Sequence, residues 1–225
     1  MTVSVIIPTL NEEAVLSATL RRVRQPGVRE IIVADGGSTD TTRAIAAELA
    51  DRVLSAPRGR AVQMNAGAAH ASGDVLLFLH ADTLVPDGFA NSILGACREP
   101  AVVAGRFDVR LESSSRLVWL TGELINRRSR LTRVATGDQA IFVRREVFER
   151  LGGYAPLPLM EDIELSRRLK RVGRIACLRE RVITSARRWQ QNGVVRTILL
   201  MWTLRVLYYI GVSPQRLQRM YANTR

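Results

Sequence analysis

The stretch from Asp74 to Pro86 (DVLLFLHADTLVP) constrains the fold of this chain more than any other. A short apolar run bounded by polar residues reads as a strand buried on both faces, the pattern of a parallel sheet. A carboxylate at the C-terminal tip of such a strand sits where ligands bind in open α/β sheets. Asp82 is therefore the first candidate for chemistry. The plainer alternative is that Asp82, with Thr83, shapes a turn or caps the next helix.

The flanking sequence extends the same pattern. Val3 to Pro8 and Glu30 to Asp35 read as strands, Arg52 to Ala56 as a short one, and Thr41 to Ala50 and Arg60 to Ala71 as helices, the latter despite Gly67. Asn11 is placed to cap a helix whose first turn holds Glu12 and Glu13. Alternating strands and helices on short connections predict an α/β fold with a mainly parallel sheet. Beyond Pro86 the spacing predicts a helix over 87–98, a strand over 101–111, a helix over 113–130, a loop entering a strand over 136–144 and a short helix over 146–151. A helix opened by Asp162 and two short strands, 175–178 and 181–185, follow. Gly193 to Val212 is apolar but interrupted by Arg196 and Arg205, too short a clear run for the roughly 20 residues of a membrane span. It reads as an interfacial helix with Trp202, Tyr208 and Tyr209 at headgroup level, or as a helix packed on the domain or in a dimer interface.

Charge is unevenly placed. Residues 1–104 carry 9 basic and 11 acidic side chains, residues 105–225 carry 24 and 10, and the whole chain has a formal net charge of +12. A basic half implies an anionic partner, such as nucleic acid, anionic lipid or a phosphorylated substrate. No nucleic-acid motif is present and aromatic residues make up only 5%, which leaves few stacking surfaces. No GxGxxG follows the first strand, which disfavours nicotinamide binding. Two cysteines, Cys97 and Cys177, with no basic-apolar leader before the first strand, fit a reducing compartment.

Three acids, Asp35, Asp82 and Asp162, end predicted strands or open a helix. Together with PTLNEE (Pro8 to Glu13), DGGSTD (Asp35 to Asp40), HAD (His80 to Asp82) and MED (Met160 to Asp162), they resemble the family-2 inverting glycosyltransferases of the GT-A fold, over roughly residues 3–190. The resemblance implies donor-side roles for Pro8, Thr9, Glu12 and Asp35 at the nucleoside. It matches Arg60, with Asn65, to a basic segment facing the base or diphosphate. His80 and Asp82 match the family's Asp-x-Asp, with His80 replacing the first acid, so Asp82 is the expected ligand of a divalent cation, Mg²⁺ or Mn²⁺. His80 is read as a second ligand, a hydrogen-bonding partner of the donor, or a structural imidazole.

On the acceptor side, Glu161 and Asp162 match the family's acidic pair. Inversion requires a base for the attacking hydroxyl, and that role falls to Asp162, whose alternative is a helix cap. Gly137, Asp138 and Gln139 resemble an acceptor-side segment, Asp138 being equally a turn acid. Arg187, Arg188 and Trp189 match the end of a QxxRW motif whose glutamine is missing, which favours a single transfer over polymerisation. The implied organisation is a GT-A domain over 1–192, with a nucleotide half (1–86) and an acceptor half (87–192), followed by an amphipathic helical segment over 193–225. The implied partners are a nucleotide-diphosphate sugar, UDP-sugar favoured, and a hydroxyl acceptor, with a lipid-linked one suggested by the basic second half. The implied place is cytoplasmic, peripheral on the inner face of the membrane. The alternative is a non-catalytic GT-A-like module docking on anionic membrane or a partner protein.

Overall fold

A computed structural model describes residues 1–186 and 193–222. Its centre is β1 (Val3–Thr9), buried along its whole length and paired in parallel with β2 (Val28–Asp35) on one side and β4 (Val75–Phe78) on the other. The continuous apolar character of these strands follows from burial on both faces, and the period of two divides them between two cores. Val3, Val5, Ile7, Val75 and Leu77 face one cluster, with α1 (Leu16–Val23), α2 (Thr42–Leu49), α4 (Phe89–Ala96) and α5 (Arg116–Thr132). Ile6, Leu76 and Phe78 face the other, with α3 (Arg60–Ala69), α6 (Arg145–Arg150) and α7 (Glu161–Val172). Gly67 lies inside α3 because the helix rides directly on β1, where a Cβ would come within 2.5 Å of the Ile6 side chain.

Among the described residues eight strands run in the order β3-β2-β1-β4-β7-β6-β8-β5, with β3 (Arg52–Ser55), β5 (Thr83–Leu84), β6 (Val102–Glu112), β7 (Ile141–Arg144) and β8 (Arg174–Ser185). β7 runs antiparallel to both its neighbours, and β6 and β8 are parallel to each other. The two predicted strands over 175–178 and 181–185 are one strand. A shift in register opposite Arg106–Asp108 leaves Leu178 to Glu180 bulged and breaks the alternation seen in the sequence. β5 was not expected; two residues are too few to show a period.

Register places the site. Phe78 pairs with Ile141, so the residues leaving β4 and the turn entering β7 meet at one edge of the sheet. Thr83 pairs with Thr184, which brings the end of β8 to the same edge. Thr9 and Asp35 lie level with each other at the ends of β1 and β2.

The C-terminal segment is two helices, α8 (Val194–Tyr209) and α9 (Pro214–Ala222), separated at Gly211 with φ +93° and restarted at Pro214. Leu204 and Leu217 are fully buried against Val134, Leu159, Met160 and Ile163. Among the described residues no helix is long and apolar enough to cross a membrane.

A buried acid ties the far end of the sheet. Glu30 accepts hydrogen bonds from the Ser4 hydroxyl (2.8 Å) and from the backbone and hydroxyl of Ser72 (2.6 and 2.7 Å). Burial pushes its pKa up, but the Ser72 and Ser4 hydrogen bonds and the Arg52 cation outweigh it and hold the pKa below the ordinary 4.5. A depressed carboxyl contributes stability that is present above its unfolded pKa and lost as pH falls through the folded one. Glu30→Gln is expected to cost about 1.5–3 kcal/mol at pH 7 and to shrink that difference toward pH 3, measured by thermal melts across the range.

Candidate active site

The loops after β1 and β2 are sewn to each other by the motif residues. The Asn11 side chain accepts from the Thr39 backbone (2.9 Å), and the Asn11 backbone donates to the Ser38 hydroxyl (2.9 Å). The Glu12 backbone donates to the Thr42 hydroxyl (2.8 Å), and Glu13 accepts from the backbone and hydroxyl of Thr41. Asn11 does not cap α1, which begins only at Leu16; with φ +55° it turns the chain back toward the neighbouring loop. Gln63 completes the clamp from α3, donating to the carbonyls of Thr9 and Ala34, both at 2.8 Å. Asn65 acts similarly on the loop beyond α6, exchanging hydrogen bonds with the Tyr154 backbone.

A cavity of about 600 Å³ opens at the edge where the strand ends converge. Seven of the anticipated site residues line it: Glu12, Arg60, His80, Asp82, Gly137, Asp138 and Asp162. Asp82 and Asp162, eighty residues apart in the chain, thus face one hollow. The Asp82 carbonyl accepts from the Ser185 backbone (3.3 Å) and Thr83 bonds Thr184 (2.9 Å), which pins the HAD turn to the end of β8.

Asp162 stands in the first turn of α7 and accepts from the Gly137 backbone (2.9 Å) and its neighbour Ile163 (2.7 Å). It therefore joins the Gly137–Gln139 turn to the acidic pair. Met160, just before α7, holds a left-handed backbone at φ +69°, strain of about 1–3 kcal/mol of the kind that accumulates at functional sites. Gly137 has no room for a side chain, because a Cβ would lie 2.6 Å from His80 Nε2. Burial and then the Arg60 cation lower the His80 pKa, against the pull of Asp82, Asp138 and Asp162, so the imidazole is neutral at pH 7. Gly137→Ala is expected to displace His80 or break the Gly137–Asp162 bond. The loss expected is about tenfold or more in donor affinity or turnover, with about 1–3 kcal/mol of stability, read by calorimetry and thermal melts.

Glu161 lies beneath the cavity rather than on its lining. It is buried, pairs with Arg60 at 3.1 Å, and leaves Oε2 without a hydrogen bond among the described residues. The ion pair ties Arg60 to the start of α7. Pro8, Thr9 and Asp35 are buried and outside the lining. Asp35 is occupied by its own turn: it accepts from the Gly37 and Ser38 backbones (both 3.0 Å), the Ser38 hydroxyl and Thr9. Burial would raise its pKa, but the Ser38, Gly37 and Thr9 bonds outweigh it and hold the carboxyl below the ordinary range. Of the three acids Asp35, Asp82 and Asp162, the last two line this cavity. Gln139 is fully buried, bonded within its own turn to Thr136, so an acceptor cannot reach its side chain here. Arg188 and Trp189 lie outside the described residues.

The structure adds residues that the sequence pattern did not place at the site, although Trp202 and Arg205 stood out in the C-terminal stretch. Leu124, Ile125 and Arg128 of α5, Met201, Trp202 and Arg205 of α8 and Tyr221 of α9 form the far wall. Their trace in the sequence is the presence of arginines and of Trp202 within two stretches that read as helices.

The Glycosyl transferase family 2 profile matches residues 4–152. The chain belongs to this family. The match covers the β1 and β2 loops, Arg60, the HAD turn and the Gly137–Gln139 turn; Asp162 and the C-terminal helices lie beyond it. Probable glycosyltransferase YdaM of Bacillus subtilis is 31% identical over 198 residues, 76% of this chain and 47% of that protein. The PGL/p-HBAD biosynthesis glycosyltransferase Rv2957 of Mycobacterium tuberculosis is 35% identical over 164 residues, 67% of this chain and 62% of the relative. The chain spans about half the length of the first of these relatives. Among solved structures, residues 1–349 of S. aureus TarS superpose with a TM-score of 0.66 at 18% identity, covering 83% of this chain and 61% of that one. Glucosyl-3-phosphoglycerate synthase of M. tuberculosis gives a TM-score of 0.62 at 26% identity, covering 80% and 70%. The mixed, mostly parallel sheet flanked by helices is the GT-A fold of family 2.

Proposed function

We propose that this protein transfers one sugar, with inversion, from a nucleotide-diphosphate donor to an acceptor hydroxyl. The observation that carries this reading is the shared cavity of Asp82 and Asp162, which Arg60 also lines. The β1 and β2 loops, with Pro8, Thr9, Glu12 and Asp35, receive the nucleoside, the Asp35 carboxylate becoming available when Ser38 turns away. Arg60, oriented by Glu161, faces the diphosphate. Asp162 takes the proton from the attacking hydroxyl, using lone pairs left free by its two backbone hydrogen bonds. Asp138, with Oδ1 buried and without a partner among the described residues, is available to orient the acceptor.

The donor set suits a divalent cation that takes most of its ligands from its substrate. Among the described residues no group of three or more His, Cys, Asp or Glu side chains gathers at metal-binding spacing. One carboxylate, Asp82, and a neutral imidazole, His80, suit Mg²⁺ or Mn²⁺ completed by phosphate oxygens and water. When bound, the cation offsets charge on the departing diphosphate. Structures of relatives support the pairing: TarS has been crystallised with UDP and with UDP-GlcNAc, and a mannosyltransferase of Pyrobaculum calidifontis with GDP-Man and Mn²⁺. UDP-sugar remains the favoured donor. Calorimetric titration with UDP-, GDP- and TDP-sugars, with and without Mn²⁺, tests the reading, and absence of binding by all of them would remove it. The anomeric configuration of the product, read by NMR, tests inversion.

Exposed apolar residues on the two helices that line the cavity support a peripheral place on the inner face of the membrane, with a lipid-linked acceptor. Trp119, Leu120 and Leu124 of α5 and Trp202, Val206 and Tyr209 of α8 are exposed, and the chain is strongly basic, the combination that binds anionic bilayers. Vesicles containing phosphatidylglycerol are expected to pellet the protein, and Trp119→Ser with Trp202→Ser to release at least most of it. Equal pelleting of the variant would remove the docking surface.

A further inference from the structure

Two arginines on the far wall of the cavity are not used by the mechanism above. Arg128 projects from α5, and its Nε and Nη2 are buried without a hydrogen-bond partner among the described residues. Arg205 reaches the same cavity from α8 and, like Arg128, makes no ion pair among the described residues. Buried guanidinium groups are ordinarily paired. Burial and the adjacent Arg205 cation lower the Arg128 pKa to about 10, although Asp138 and Asp162 pull the other way. Two like charges in one partly desolvated hollow are a receptor for an anion, and the planar fork of arginine favours phosphate or carboxylate. Arg60, by contrast, is already engaged by Glu161 at 3.1 Å.

The surroundings define the rest of the ligand. Leu124, Ile125, Met201 and Trp202 line the cavity beside these arginines, and Leu124 and Trp202 are also about half exposed at its mouth. An apolar path therefore runs from the arginines to the outside.

We propose that Arg128 and Arg205 form an anion subsite for the acceptor, and that the acceptor is an amphiphile with a phosphate group held there and an apolar chain along Leu124, Ile125, Met201 and Trp202. This rests on the transferase reading for the word acceptor, but the subsite itself is tested without it. The geometry follows from the fold: α5 and α8 bring one arginine each to a mainly apolar part of the lining, in the same cavity as Arg60, His80 and Asp82. A neutral acceptor would leave the two neighbouring cations without an anion bonded to them, whereas a phosphate satisfies both.

Calorimetry on the full chain with octyl phosphate, inorganic phosphate and octyl glucoside separates the possibilities. Octyl phosphate is expected to bind at one site at least tenfold more tightly than either of the others. Arg128→Gln and Arg205→Gln are each expected to weaken it tenfold or more, with nucleotide-sugar affinity unchanged within twofold. Trp202→Ala should weaken octyl phosphate but leave inorganic phosphate unaffected, a control that does not depend on the arginine variants folding. Equal binding of octyl phosphate and inorganic phosphate would overturn the amphiphile, and octyl phosphate binding that survives both arginine variants would overturn the subsite. Loss of nucleotide-sugar affinity along with octyl phosphate in those variants would reassign the arginines to the donor. Failure of the unaltered protein to bind any nucleotide sugar, with octyl phosphate bound as expected, would instead remove the transferase reading and leave the subsite standing.

Discussion

Asp162→Asn is expected to lower sugar transfer by about 10²–10⁴-fold, the range contributed by a positioned general base, while nucleotide-sugar affinity stays within about twofold. Asparagine keeps one oxygen for the Gly137 backbone hydrogen bond, now 2.9 Å, but its amide cannot accept a proton from the acceptor hydroxyl. The prediction separates chemistry from folding because the same carboxylate links α7 to the turn before β7. A thermal melt accompanies the rate measurement, and a shift of about 1–2 kcal/mol is expected from weakening that link. A variant with intact turnover would remove Asp162 as the base. A variant that loses donor binding as well would make it a structural tie.

The second large effect is expected at Asp82. Asp82→Ala should reduce kcat/KM by about 10²–10³-fold, the scale of removing one preorganised electrostatic contact to a developing charge, and should abolish the Mn²⁺-dependent part of donor binding. Chelation of the unaltered protein should reproduce the loss, and chelation of the variant should add little. His80→Ala is the informative companion, because its neutral imidazole sits against Gly137. If His80 is a ligand, its variant shifts the Mn²⁺ midpoint; if it supports the turn, its variant shifts the melt and leaves the midpoint in place. Turnover by Asp82→Ala that still responds to Mn²⁺ would move the metal elsewhere.

Both predictions concern residues legible before any coordinates. Asp82 could be found because β4 is buried on both faces and a carboxylate ending such a strand interrupts an otherwise apolar run. Asp162 could be found because an acid opening a helix after Pro156 and Pro158 matches the order of the family's motifs. The motif loops were also legible, but their physics was not: Asn11, Glu12 and Glu13 look like a helix start, and in the structure they bind the loop after β2 instead. A hydrogen bond between residues 28 positions apart leaves no periodic trace. Asp35 shows the same limit in reverse. Its motif was recognisable, yet the turn itself consumes its carboxylate, which no spacing reveals.

What the sequence determined alone was β1, β2 and β4, their crossovers and the edge at which His80 and Asp82 stand, because burial on both faces forces continuous apolar runs and an intervening helix carries the chain back to pair the strands in parallel. Only the tertiary structure decided which helices close the cavity with Arg128 and Arg205. An apolar helix declares that it has apolar surface, not what covers it, and the spacing of α8 does not say which of its residues pack on the domain and which stay exposed. Its packing of Leu204 beside Met160 and Ile163, with Leu217 of α9, is what carries Arg205 and Trp202 into the cavity that Asp162 lines.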